Sequence, residues 1–375
     1  MLSSAKKLLL VNILYSSIVA SMSVLVPLYL IERNIDLGSV GLILSIMPLV
    51  FLFVRLVFAS IADELGTKVI GVLYSLANLF SIALFALTAS PLGFSLATFA
   101  EGVRASGFWA ITRTEILLET GKEAGRKAFA FFSGVRQLAD GIGRVFIGFA
   151  LAYFAFQGSF LLLFSLSILL LLLVFFLKDG HMQLKVDTKT VQRIFKKRPA
   201  SFWFTGLGLS LLWLPSNMLP SFLLPIYAHA ELGLNYVETG SIAALFSLVS
   251  GAAILISMKW NIPIKLLFLF TALMIPLLIL LPFLGSNLFF VILLIALGNG
   301  CSNILSEYVL ADSVSKDGDL STAIGLTNVP LRIGEFLFLS LGGFAIAQFG
   351  YAPLFYFCAL LVFLSVVFVR TKLKL

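Results

Sequence analysis

Residues 178–198 read KDGHMQLKVDTKTVQRIFKKR, and this basic stretch divides the chain into two groups of six long apolar segments. Spans are expected before it at 8–31, 39–62, 69–89, 93–118, 128–155 and 157–177, and after it at 201–228, 237–258, 264–284, 288–310, 321–348 and 353–370. Each provides about 20 residues or more, enough helix to cross ~30 Å of hydrocarbon. Of the 375 residues, 60% are hydrophobic and 12% charged, and mean hydropathy is +1.07. A water-soluble domain carries about 25% charge, so the bilayer must be this chain's solvent, where every backbone polar group needs an internal partner. The reading is an all-α membrane protein of twelve transmembrane helices. It has an N-terminal six-helix bundle at 1–177, a cytoplasmic basic linker at 178–200 and a C-terminal six-helix bundle at 201–375.

The junctions are short and carry breakers: Gly66, Pro91, Gly121, Gly158, Gly285, Gly318 and Gly350. The first span follows Lys6 and Lys7 like a signal peptide, but its apolar run is too long and lacks a small-residue cleavage site, so it reads as an uncleaved helix. Of the 26 Lys and Arg residues, nineteen fall in one set of junctions and termini, one (Arg33) in the opposite set, and six within spans. That asymmetry places both termini and the linker in the cytoplasm. It also accounts for the formal charge of +8 without nucleic acid, because the charge is spread over cytoplasmic junctions. Within the linker, Val191 to Ile194 with Lys196–Arg198 forms a tether against anionic headgroups or a short interfacial helix. Cys301 and Cys358 lie in separate spans and His181 and His229 in separate loops, so no disulfide, metal site or cofactor is expected.

The halves repeat at an offset near 198 residues. Pro27-Leu28-Tyr29 ends the first span as Pro225-Ile226-Tyr227 ends the seventh, Gly41 corresponds to Gly240, and Arg136 with Asp140 corresponds to Arg332 with Glu335. An even number of spans per half gives both the same orientation, a parallel repeat, the layout in which two bundles rock about a central site.

Where the second span meets the cytoplasm the chain reads ASIADELGTK at 59–68, preceded by Arg55. Asp63, Gly66 and Lys68 match the Gly-x-x-x-Asp-Arg-x-Gly-Arg-Lys loop of the major facilitator superfamily, whereas Ala59, Glu64 and Thr67 depart from it. The chain resembles that superfamily along all twelve spans. An arginine eight residues before the aspartate is similar to bacterial sugar- and drug-efflux branches. The resemblance implies a cytoplasmic latch in which Asp63 meets the start of span eleven near Ser321, with Arg113 or Arg126 nearby. It also implies a central cavity lined by spans one, four, seven and ten, a lipid-facing flank of spans three, six, nine and twelve, and a monomer. A Gly-Pro element frequent in span five of antiporter branches is missing: Gly141-x-Gly143 is followed by Arg144.

An ionised side chain at mid-membrane costs ~2.5–3.5 kcal/mol on insertion scales, so each one needs a reason. Spans three, six, nine and twelve hold none away from their cytoplasmic ends. At ~1.5 Å per residue, Glu101, Arg104, Arg136 and Asp140 reach overlapping depths near mid-membrane, and Arg136, Asp140 and Arg144 recur on one helical face. A buried network of two acids and three bases follows, with Arg332 and Glu335 as its counterpart in the other half. It either fixes helix packing by mutual neutralisation, or supplies a protonation site at Glu101 or Asp140, or holds an anionic substrate through its arginines. Polar stripes mark further cavity lining: Asn12, Ser16 and Ser23 on span one; Asn299, Ser302, Asn303 and Ser306 on span ten; and Trp213, Asn217 and Ser221 on span seven, where Pro215, Pro220 and Pro225 should bend the helix and free carbonyls. For the serines and asparagines the plainer alternative is interhelical bonding.

These features predict a secondary transporter, not an enzyme, of a cell inner (plasma) membrane, with a small-molecule substrate, protons and membrane lipid as partners. The sequence has no Walker loop and leaves no room within it for a soluble ATPase domain. The leading version is proton-coupled efflux of a sugar or drug-like compound by alternating access. The alternatives are transport of an organic anion bound by the intramembrane arginines and a non-transporting sensor on the same fold.

Overall fold

The computed structural model describes residues 4–65, 67–177, 198–285, 288–314 and 325–373; side chains at 4–6, 56–67, 107–127, 129, 311–314 and 373 lie outside that description. Among the described residues there is no strand. The helices are α1 (Ser4–Glu32), α2 (Leu37–Leu65), α3 (Thr67–Leu87), α4 (Pro91–Phe175), α5 (Ala200–Glu231), α6 (Tyr236–Trp260), α7 (Ile264–Leu280), α8 (Leu288–Val314), α9 (Val329–Phe349) and α10 (Ala352–Leu373). Ten helical segments among the described residues are long and apolar enough to cross a membrane.

The helical assignment of α4 runs for 85 residues and takes in three expected spans. A straight helix of that length would measure ~130 Å, so α4 must reverse. Tyr29 near the end of α1 packs on Phe94 at 5.8 Å, on Phe156 at 5.3 Å and on Phe160 at 5.1 Å between ring centroids. Midway along α1, Tyr15 meets Arg104 and Ser17 bonds the carbonyl of Ala139. Near its start, Lys7 reaches the carbonyl of Phe176. The chain of α4 therefore passes α1 three times. One reversal is carried by Ala155 at φ 52, not by the expected Gly158. The breakers Gly285 (φ 48) and Gly350 (φ 73) do adopt left-handed backbone, which glycine tolerates for want of a Cβ. Gly66 and Gly318 lie outside the described residues, and the helix runs through the junction expected at Gly121.

Three hydrophobic clusters fill the interior among the described residues, the smallest joining Ala130 to Leu212, Ile254, Leu267, Cys301, Ile304, Leu305 and Val369. Of the two larger ones, the first gathers buried residues between Val11 and Val174 with Ala243, and the second gathers Phe202 to Val362 with Leu8. The outer surface is apolar, as lipid demands: Phe80, Leu161, Leu269 and Phe363 are exposed on α3, the last pass of α4, α7 and α10. Those are the spans expected to face lipid, but large apolar side chains are exposed on others as well, among them Phe53 of α2, Phe204 of α5 and Phe290 of α8.

Glycines let the two groups of helices approach closely. A Cβ on Gly41 of α2 would run into the carbonyl of Leu339 on α9, and one on Gly343 into the carbonyl of Leu37. In the second seam a Cβ on Gly148 of α4 would lie 2.9 Å from the Tyr236 carbonyl, and one on Gly240 of α6 would lie 2.7 Å from the Arg144 carbonyl. Small residues at such crossings replace the hydrophobic drive that lipid cannot supply with close van der Waals contact. In α5, Pro215 lies within a regular α segment, whereas the helix changes its bonding near the other two prolines. Regular bonding gives way to π-helical turns at Leu219–Leu223 and Tyr227–Glu231, beside the missing N–H groups of Pro220 and Pro225.

Candidate functional site

Between the two groups of helices lies a cavity of about 180 Å³, the first chamber. Its charged lining comes from α4 (Glu101, Arg104, Arg136, Asp140, Arg144) and α9 (Arg332, Glu335). A second chamber of about 40 Å³ shares Arg136, Asn217 and Arg332 with the first and adds Phe51, Arg55, Trp213, Asn303 and Glu307. The three shared side chains therefore line both chambers.

The local chemistry explains how so many charges persist away from water. Arg104, almost wholly buried, donates from Nη2 to Glu101 Oε1 at 2.9 Å and from Nη1 to the Tyr15 hydroxyl at 3.0 Å. The three-residue spacing puts acid and base on one helical face. In the other half, Arg332 pairs with Glu335 at the same spacing, 2.5 Å apart, and Glu335 also accepts from Asn217 Nδ2 on α5 at 2.8 Å. The Arg332 guanidinium stands 3.8 Å over the Phe51 ring of α2, a cation–π contact across the halves. Asp140 lies in the field of Arg136 and Arg144, one turn away on either side. Arg144 reaches across to the hydroxyl of Ser247 on α6. Its Nε, the Nε of Arg332 and the hydroxyl of Ser16 are buried polar atoms with no hydrogen-bond partner. All three residues line the first chamber.

All seven charged candidates from the sequence thus line one chamber. Trp213, Asn217 and Asn303 line the cavity system too, and the Trp213 indole donates to Ser306 at 2.9 Å. Two expected lining residues do not belong there. Asn299 is fully buried and donates to Ser250 on α6 at 3.1 Å, so it joins helices instead of facing the cavity. Asn12 is buried outside both linings, although Ser16 and Ser23 on its helix do face the first chamber. Of the loop motif, Arg55 lines the second chamber and donates to the carbonyl of Ser106 at 3.2 Å, and Lys68 has interaction partners. The side chains of Asp63, Arg113 and Arg126, and residues Gly66 and Ser321, lie outside the described residues.

Sequence reasoning missed Glu307, which is buried on α8 and lines the second chamber. It follows Asn303 by one turn, so extending the polar face of span ten by four residues would have reached it. Tyr15, which holds Arg104, lies three residues from Asn12 on a helix read only for serine and asparagine.

A profile described as Major Facilitator Superfamily matches residues 8–300 and 216–374. Among solved structures the chain is similar to the human organic anion transporter MFSD10 (TETRAN), at 15% identity and TM-score 0.71, covering 98% of this chain and all of that one. It is similar to a D-xylose-proton symporter at 12% identity and TM-score 0.74, covering 98% and 97%. The nucleoside transporter NupG superposes at 13% identity and TM-score 0.72, with both chains covered in full. Identities this low speak to the fold alone. No curated protein matches the chain.

Proposed function

This chain belongs to the major facilitator superfamily, and we propose that it carries a small organic solute across the membrane by alternating access, with proton movement at Asp140 coupled to the solute. The supporting observation is the position of Asp140. It is an acid in a cavity walled by both groups of helices, between two arginines, one of which already reaches into the opposite half. A proton added there changes the charge balance at the seam where the halves meet.

In this reading 1–177 and 201–375 are the two rocking bodies, joined by 178–200. Glu101 and Glu335 are committed to Arg104 and Arg332, which makes them packing partners before they are proton carriers. Tyr15, Asn217, Trp213 and Asn303 supply hydrogen-bonding and aromatic contacts for the solute. The similar solved structures carry an organic anion, D-xylose with protons, and nucleosides by their descriptions, which is compatible with a small polar organic cargo here. Outward movement of a sugar or drug-like compound rests on the Arg55 and Asp63 resemblance. The inner membrane, with both termini cytoplasmic, rests on the Lys and Arg asymmetry. The monomer rests on the superfamily resemblance.

Proteoliposomes with a pH-sensitive dye in the lumen test the coupling. Imposing a gradient of a transported solute should move lumenal pH, and a proton gradient should drive solute accumulation. Solute movement that leaves lumenal pH unchanged would remove protons from the account.

A further inference from the structure

We infer that His229, Tyr236 and Glu32 form a gate on the outer face, and that protonation of His229 by an acid exterior holds it shut. This rests on the transporter reading and on the orientation proposed with it.

Tyr236 opens α6, and the capping box of Asn235 and Glu238 fixes that start. From there its side chain leaves the second half. Half-buried, it packs against the core of the first half and meets Phe156 of α4 edge-on, 5.6 Å between ring centroids. Its hydroxyl donates toward the Glu32 carboxylate at the end of α1. Its backbone joins the seam, since a Cβ on Gly148 of α4 would lie 2.9 Å from the Tyr236 carbonyl. His229, from the last turn of α5, stacks on the Tyr236 ring at 4.9 Å with the planes 23° apart. Tyr236 is thus a second-half residue held by first-half groups and by one titratable ring. The halves cannot part at the outer face while it stays seated.

Histidine side chains change charge near neutral pH, and half-buried His229 is within reach of the exterior. Its Nδ1 meets the Leu234 carbonyl at 2.9 Å. A carbonyl only accepts, so Nδ1 carries hydrogen in either charge state and the added proton goes to Nε2. The protonated ring is then a cation within ~6 Å of an aromatic centroid, an attraction that the neutral ring lacks.

The surrounding charges favour that cation. At the outer junctions and helix ends the sequence places four acids, Glu32, Asp36, Glu231 and Glu238, against one base, Arg33. The outer ends of α4 and α10 bring no charge. Arg33 is turned to Tyr29, donating to its hydroxyl at 2.8 Å and standing 5.0 Å from its ring centroid. Asp36 caps α2 and Glu238 caps α6. Tyr227 and Tyr351 pack on each other at 5.3 Å. That leaves Glu32, linked through Tyr236, and Glu231, two residues on in the same turn, to balance a charged His229. Protonation therefore tightens the grip on Tyr236 and lengthens the time the carrier is closed to the outside. The response is separate from the proton at Asp140.

The test places spin labels at Gln157→Cys and Ala230→Cys of the full chain in lipid nanodiscs, one on each half beside the gate. Pulsed electron resonance measures their separation at about pH 5.5 and 7.5, across which histidine changes charge. Cys301 and Cys358 are buried and take up little label. The ratio of long to short separations should fall about two- to fivefold at the acid pH, as one cation–π contact predicts. His229→Asn, which keeps a donor for the Leu234 carbonyl, should remove the larger part of that response, and Asp140→Asn should retain it. If His229→Asn does not fold, His181→Asn leaves His229 as the one histidine of the chain. Diethyl pyrocarbonate should then abolish the response and hydroxylamine restore it. A response absent or reversed in the parent, undiminished without a titrating His229, or lost in Asp140→Asn would overturn the gate. The transporter reading is judged separately, by solute counterflow in proteoliposomes.

Discussion

Arg144 of the first half hydrogen-bonds the hydroxyl of Ser247 on the second half, at the edge of the charged chamber. Ser247 is fully buried, so this is a polar contact made without competition from water. The same arginine stands one turn from Asp140 and shares a seam with Gly240, where its own carbonyl meets the opposite helix. Charge, hydrogen bond and close packing thus meet at one residue.

Removing that acceptor should be felt. Ser247→Ala leaves a buried guanidinium short of a partner, at a cost of ~1–3 kcal/mol, and should lower the melting temperature of the purified protein. Ser247→Thr keeps the hydroxyl and should recover most of the loss. Equal melting temperatures for the parent and the alanine variant would show that the contact contributes nothing.

The two acid–base pairs should differ in weight. Glu335 accepts from both Arg332 and Asn217 and its side chain is 2% exposed, whereas that of Glu101 is 13% exposed. Breaking a buried pair by removing one partner costs ~3–5 kcal/mol, so Glu335→Gln should approach that range and Glu101→Gln should fall short of it. Unfolding in mixed detergent micelles measures both. The reverse order would mean that the tyrosine-supported pair at Arg104 is the stronger anchor.

The glycine seams set which conformation is reached. Gly41→Val places a branched side chain against the Leu339 carbonyl and should prevent α2 and α9 from closing. Maleimide labelling of Ser16→Cys, a chamber-lining position, should then accelerate several-fold over the same cysteine in the parent background. Cys301 and Cys358 are buried and should contribute little background. Unchanged labelling would show that the seam accommodates the side chain.

The cap of α2 supplies a pH control. Asp36 accepts from the Ser39 side chain and backbone N–H, the latter at 2.9 Å, which holds its carboxyl below the usual carboxylate range. A depressed pKa gives stability that is present above the unfolded value of ~3.9 and is lost as pH falls through the folded value. The melting-temperature deficit of Asp36→Ala should therefore be constant between pH 5 and 8 (roughly the range above carboxylate titration), and any pH effect on transport there must arise elsewhere. A deficit that disappears within that range would contradict this account of the cap.

Much of this arrangement is readable in one dimension for a physical reason. In an apolar span a charge is conspicuous, so Glu101, Arg104, Arg136, Asp140, Arg144, Arg332 and Glu335 stand out from composition alone, and all seven line the first chamber. The repeat was legible for a similar reason. Gly41 and Gly240 match at the offset between halves, and each sits in a seam where its missing Cβ lets another helix approach. Asparagine and serine are less legible, because the same side chain serves a cavity or a neighbouring helix. Asn303 does the first and Asn299 the second, four residues apart. Tyr15 and Phe51 were missed because an aromatic ring in a membrane helix gives no hint that a guanidinium lies over it. Left-handed backbone falls at Ala155 and not at the expected Gly158, and an alanine carries no local signal for it.

The central claim is that Asp140 carries the proton that couples to the solute, and one comparison tests it most directly. Parent and Asp140→Asn proteins are reconstituted, and a radiolabelled compound that raises the parent's melting temperature is followed in two modes: accumulation driven by a proton gradient, and exchange between equal pools. The account predicts that Asp140→Asn abolishes driven accumulation and retains exchange. Driven accumulation at the parental level in Asp140→Asn would contradict it.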